Sequence, residues 1–356
     1  MKCRQIGISA GLVVFLLFSI RGFGQEKPAS DNFAFKTKVH VDVLLHLLAH
    51  MDIGKDAASL YSEEYIKKIS QEKEKLGLSD DLRIEMDAIK DVFISDSGLR
   101  YIDFLPFYVR DYEELLTGMR WLATETNEKN RNEALNSFRE SFSATVKQRN
   151  FMAEFARILD HEYQAFYRDY WQKEQKRLAA VKAQFEGFVT ANGEKIFSSV
   201  MKRENKTALV YLCLSMTRNG RGFHSKDRFG GAVKFPEKTE DFLPLFIMAI
   251  HEMTHQFSDA LVMKAEGMDR SQSDTAEGSE GYRIHMASEY GVIYTDYLLI
   301  QRFLPDYLKD YLIFFWDGPE EEAKDKSPEV LVKAFKTWVK LSDKSIAAIT
   351  DYINAL

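Results

Sequence analysis

The string His251-Glu252-Met-Thr-His255 combines two histidines four residues apart with a glutamate directly after the first. On a helix, positions i and i+4 lie one above the other, so both imidazoles can reach one Zn²⁺ while Glu252 stands to the side. Those residue types suit hydrolysis. Zinc lowers the pKa of a coordinated water towards ~7, and a neighbouring carboxylate takes the proton as that water attacks a carbonyl. Two hydrogen-bonded histidines on a core helix would be the bland explanation. The flanks favour the catalytic one: Phe246, Ile247, Met248 and Ile250 precede the string, and Phe257, Leu261 and Val262 follow it, so the helix is apolar on its other faces.

A catalytic zinc needs a third protein ligand and an open position. Glu277, Glu280 and Glu289 follow in the right region. Glu277 lies in a polar loop beside Gly278. Glu280, in Ser279-Glu-Gly-Tyr282, falls at a helix start, where a solvated carboxylate is favoured by the helix dipole. Glu289 has Ala287, Val292, Ile293 and Tyr294 around it, and a carboxylate among apolar residues is costly unless paired or metal-bound. Glu289 is the preferred third ligand and Glu280 the alternative. A donor to the developing oxyanion is also required. His285, one turn before Glu289 on the same face, is the first candidate and Tyr294 the second, with Tyr282 and Arg283 nearby. His224 precedes the expected edge strand in a polar loop. His46-Leu-Leu-Ala-His50 repeats the histidine spacing, but Leu47 stands where a catalytic glutamate would be needed, so packing or hydrogen bonding is the expected role.

The elements that must position these groups are read from periodicity. Met1–Gly24 has Lys2 and Arg4, a short apolar run over 11–20, and glycines at 22 and 24, which is the pattern of a cleaved export signal. The apolar run is shorter than the ~20 residues of a membrane span, and no later stretch is long and apolar enough. The expected organisation is a signal over 1–24, a helical N-terminal region over 25–190, and a catalytic region over 191–356. Helices are expected over 41–52, 82–93, 101–122, 132–146 and 151–189, with the charged runs 67–75, 124–131 and 173–177 as solvated faces and turns. At Asn192-Gly193 the character changes. Residues 207–216 read as a strand buried on both faces, Asn219-Gly-Arg-Gly222 as a turn, and 230–235 as an edge strand closed by Pro236. The motif helix should end near Gly267, a polar loop should follow, and a helix over 282–303 should stop at Pro305. The rest should be helical, with a break at 317–319. The fold class expected is α+β, predominantly helical, with a small sheet in the second half.

Strand, edge strand, motif helix, loop and second helix is an order similar to that of the zincin metallopeptidases. The string from His251 to Asp259 resembles the zinc helix of thermolysin-type enzymes, including Thr254 before the second histidine and Asp259 four residues beyond it. The metzincin variant would need glycine at 258 and histidine at 261, where this chain has Ser258 and Leu261. The resemblance implies the gluzincin arrangement, with a glutamate from the next helix completing the zinc site and peptides as substrates. More loosely, the chain resembles a family of secreted bacterial proteins presumed to be zinc peptidases, whose third-ligand segment is similar to Tyr282–Val292. The motif-bearing likeness covers only about 207–300. Thermolysin has Asn before its glutamate ligand and Asp four residues after it. Here Ser288 and Ile293 (or Ser279 and Ile284) occupy those places, so Asp259 or Asp296 is expected to orient the histidines instead.

Composition narrows the partners. Lys and Arg number 48 against 54 Asp and Glu, a net charge of −6, which argues against a nucleic-acid partner. After signal removal only Cys213 remains of two cysteines, so no internal disulfide can form. The expected function is an exported zinc-dependent peptidase acting on peptide or protein substrates laid along 230–235, with Glu252 as general base. The alternative is an exported helical binding or scaffold protein that keeps the zinc site without peptidase activity.

Overall fold

The computed structural model describes residues 33–51, 60–79, 81–217, 219–224, 228–268, 279–316 and 318–356. The expected signal over 1–24 and Glu277 lie outside them. Of the described residues 73% are helical, accompanied by one mixed four-stranded sheet, so the predominantly helical α+β class holds.

The strands are β1 (Phe33–Lys36), β2 (Thr207–Cys213), β3 (Arg221–His224) and β4 (Arg228–Lys234), in the spatial order β1-β2-β4-β3. β1 and β4 both run parallel to β2, pairing Phe35 and Gly231 with Val210, while β3 runs antiparallel to β4 with Gly222 opposite Gly231. β2 is the buried central strand its apolar run predicts. β4 is not the edge strand expected over 230–235, because β2 and β3 fill both of its sides. The edge on that side is β3, where a turn was expected: a four-residue strand beginning Arg-Gly shows too little alternation to be read. β1 is equally short and has no counterpart in the sequence expectation. Phe33 and Phe35 fall on one face of it, as alternate strand residues do. They pack on Phe197 (centroids 4.4 Å apart) and Phe185 (5.0 Å) of one long helix.

That helix, Arg168–Glu204, continues the helix Val146–Glu162 through a π-helical turn at Tyr163–Tyr167. Its start differs from the expected 151 because Thr145 and Gln148 form a reciprocal capping box. It also runs straight through position 190. Gly193 is no breaker here but a site of close approach: a Cβ there would fall 2.6 Å from the Phe246 ring of the motif helix. Asn205, in the left-handed region at φ 52°, ends it. The helix expected over 101–122 is two pieces, a 3₁₀ segment Leu99–Tyr108 containing Pro106 and a helix Tyr112–Leu122 capped by Asp111. Proline disrupts a continuous α-helix by removing a donor and crowding the preceding turn. The charged run 67–75 lies in the helix Glu63–Lys75, where Lys67, Gln71, Glu74 and Lys75 form the solvated face expected, while Lys73 departs from it and is buried against Glu162.

The motif helix, Phe242–Glu266, ends as expected at Gly267, which takes φ 64°. The helix Glu280–Phe303 lies against it. Gly291 allows the close crossing, since a Cβ there would meet Val262 at 2.3 Å, and the hydroxyls of Ser258 and Thr295 hydrogen-bond across the contact at 2.8 Å. Leu308–Phe314, Glu320–Lys324, Pro328–Trp338 and Asp343–Asn354 complete the chain. Among the described residues no helix is long and apolar enough to cross a membrane.

Candidate metal centre

His251 and His255 share one face of the motif helix, and Glu289 comes to them from the helix Glu280–Phe303. One ligand atom from each of the three lies within 4.8 Å of the others. Glu289 Oε2 is 3.8 Å from His251 Nε2, and Glu289 Oε1 is 3.6 Å from His255 Nε2. Ligand atoms around a tetrahedral zinc with bonds of ~2.1 Å lie about 3.4 Å apart, so the ring–carboxylate gaps need close by only a few tenths of an ångström. Glu280 is elsewhere. It is exposed at the helix start and paired with Arg283 at 2.5 Å.

The other ring nitrogens are already held. His251 Nδ1 donates to Asp296 Oδ2 at 2.9 Å, and His255 Nδ1 to Asp259 Oδ1 at 3.4 Å. Both carboxylates expected as substitutes are therefore in place, one on each ring, and each fixes the tautomer that turns Nε2 towards the cluster. Ser288, the residue before Glu289, donates to Asp259 Oδ1 at 2.5 Å and so also supports this contact.

Charge is unbalanced here. Burial disfavours a charged His255 ring, yet Glu289 and Asp259 outweigh it and raise its pKa to about 10. His251 is likewise raised against burial, chiefly by Asp296. Glu252 is raised by burial, with both histidines opposing the shift. Four carboxylates around two imidazoles draw positive charge into the pocket, which is the environment a divalent cation satisfies. The donor set, two imidazole nitrogens and one carboxylate with Glu252 beside them, fits a catalytic zinc.

Glu252 itself is packed under glycines. A Cβ at Gly220 would fall 2.6 Å from its Oε1, one at Gly222 2.9 Å from its Oε2, and one at Gly231 3.0 Å from its Cβ. Between the first two glycines, Arg221 turns the other way to pair with Asp103 at 2.6 Å and to cover the Phe104 ring at 4.6 Å. Its charge opposes the rise in the Glu252 pKa. Sequence reasoning missed this group. Its available signal was the alternation of glycine and arginine in 219–222, which reads equally well as a turn. Phe315 was missed too; its ring centroid lies 5.4 Å from that of His251.

The two oxyanion candidates part company. His285 is buried, its Nδ1 lies 4.0 Å from Glu289 Oε1, and its Nε2 has no hydrogen-bond partner among the described residues. Tyr294 sits about 140° round the helix from Glu289. Its ring stacks on Tyr297 (6.0 Å), which packs on Phe335, so it belongs to an aromatic layer away from the cluster. Tyr282 and Arg283 stay near the helix start, where Tyr282 N caps onto Ser279. His224 ends β3. The second histidine pair takes its packing role: His46 bonds Tyr65 and Glu162, at 2.9 and 3.1 Å, and stacks on Tyr167. Comparisons with protein-family models, with curated proteins and with solved structures give no match for this chain.

Proposed function

We propose that the chain is an exported zinc-dependent peptidase, with His251, His255 and Glu289 holding the metal and Glu252 acting as general base. The observation that carries this reading is the convergence of the three ligand atoms beside a buried carboxylate. When bound, Zn²⁺ supplies Lewis acidity and lowers the pKa of a coordinated water. Asp296 and Asp259 orient the two rings. Glu252 accepts the proton of the attacking water on its carboxylate and passes it to the leaving amine. His285, through the unpartnered Nε2, donates to the oxygen that gains charge.

A peptide would lie along β3. Among the described residues that strand is the sheet edge next to Glu252, and an extended substrate adds to an open edge through main-chain hydrogen bonds. β4, the strand chosen from sequence, has no free side for it.

The test is cleavage of an unstructured peptide mixture by zinc-loaded protein, with and without chelator, set beside Glu252→Gln. The amide keeps the shape but cannot take the proton, so turnover should fall by at least 10²–10⁴-fold with zinc still bound. A Glu252→Gln protein that holds zinc and cuts at the wild-type rate would make another group the base. Protein recovered from the periplasm or medium should begin within a residue or two of Gln25, and one retaining Met1–Ile20 would contradict export with cleavage.

A further inference from the structure

We propose that the N-terminal helical region positions the general base: Asp103, acting through Arg221, holds the edge strand down on Glu252. This rests on the peptidase reading for the role of Glu252, and on the geometry of β3 for everything else.

Successive residues of an extended strand point to opposite faces. On one face, Gly220 and Gly222 meet the Glu252 side chain so closely that a Cβ at either would overlap its carboxylate. On the other, Arg221 and Phe223 meet the 3₁₀ segment Leu99–Tyr108. The Arg221–Asp103 contact measures 2.6 Å, with both side chains largely buried, and the guanidinium lies over Phe104. Phe223 stacks on Phe107 with centroids 4.4 Å apart and planes 6° from parallel. The edge strand is thus pressed between the motif helix and a segment more than a hundred residues earlier in sequence.

Among the described residues β3 has only β4 as a ladder partner, so its main chain alone fixes it weakly. Backbone without side chains has little of its own to pack with, so the grip must come from positions 221 and 223. The stack at 223 holds the strand by shape, and the Arg221–Asp103 ion pair adds a directed attraction two residues earlier. Asp103 and Arg221 are therefore positioning residues: among the described residues no contact joins them to His251, His255 or Glu289, and they act on the base through the two glycines.

The experiment uses the full zinc-loaded chain and the variants Asp103→Asn, Arg221→Leu and Arg221→Lys. It reads kcat, KM, bound zinc and amide hydrogen exchange across 219–224. Asp103→Asn and Arg221→Leu should lose about 10- to 100-fold in kcat, since small misplacements of catalytic groups cost that much. KM should move by less than about threefold, the pattern of a group acting in the transition state. Zinc should stay at the wild-type level, while the amides of 220–222 exchange at least about tenfold faster and those of β2 do not change. Arg221→Lys, which keeps a charge facing Asp103, should recover part of the lost rate. If the pair variants do not fold, Gly222→Ala supplies the second arm. It leaves the pair intact, directs a methyl at Glu252 Oε2, and should lower kcat without faster exchange.

Wild-type kcat with wild-type zinc in Arg221→Leu, or unchanged exchange at 220–222, would overturn the proposal. A wild-type protein that holds zinc and cuts no peptide overturns the peptidase reading instead, and the exchange measurement then decides the clamp by itself.

Discussion

The two histidine–carboxylate contacts behind the candidate metal centre are not equivalent. Both carboxylates are buried, but Asp296 sits 2.9 Å from its ring, whereas Asp259 sits 3.4 Å from its ring and shares one oxygen with Ser288. The closer contact should do more to hold its imidazole. Asp296→Asn is expected to weaken zinc binding about 10- to 100-fold, the usual cost of losing such an orienting partner. A competition titration with a chromophoric chelator measures it, and an unchanged Kd would show that His251 is oriented by packing alone. At this scale the sequence was most informative. Residue type and spacing gave the histidines and Glu252. The cost of a carboxylate among apolar neighbours favoured Glu289 over Glu280, and the geometry brings Glu289 to the rings. Tyr294 went the other way, because nearness in sequence does not set the face of a helix.

Among the elements, what local pattern could show was read and what depends on distant partners was not. The motif helix, its stop at Gly267 and the buried β2 strand all follow from periodicity and capping. β1 and β3 do not. Each is four residues long and owes its extended form to the strand beside it, and the pair that anchors β3 joins residues 103 and 221. Gly193 misled for the same reason, since only the approach of Phe246 explains it. The helix Glu63–Lys75 hides a further long-range feature. Lys73 and His46 share the carboxylate of Glu162, at 2.8 and 3.1 Å, directly before the π-helical turn. Glu162 is held down to about 2, burial opposing and His46 and Lys73 prevailing. Glu162→Gln removes the carboxylate that Lys73 and His46 share, and urea unfolding at neutral pH should show a loss of about 3–5 kcal/mol. A change below ~1 kcal/mol would mean that the pocket repacks or admits water.

Over the whole molecule, the N-terminal helices and the motif-bearing region are tied together by the sheet, by the long helix and by Asp42. The Asp42 carboxylate accepts from Leu214 N at 2.8 Å and from Trp171 Nε1 at 3.0 Å. Burial nevertheless raises its pKa from 3.8 to about 7. The folded chain therefore holds a proton that the unfolded chain releases. Asp42's contribution to stability is full below about pH 4 and is lost as the pH rises through about 7. Asn at this position stays neutral throughout. The stability of Asp42→Asn relative to wild type, from urea unfolding at several pH values, should improve steadily between pH 4 and 7, whatever constant offset the lost acceptor adds. A flat difference would mean that Asp42 is ionised in the folded protein across that range. His40 and His50, lowered by burial to about 4 and about 3, act in the opposite sense but alike in both proteins, so they cancel in the difference. The central claim, one zinc held by His251, His255 and Glu289, is tested most directly by metal analysis and zinc titration of wild type, Glu289→Ala and Glu280→Ala. The account predicts close to one zinc per wild-type chain, affinity lowered by orders of magnitude in Glu289→Ala, and wild-type binding in Glu280→Ala. Full zinc binding by Glu289→Ala with loss in Glu280→Ala would contradict it.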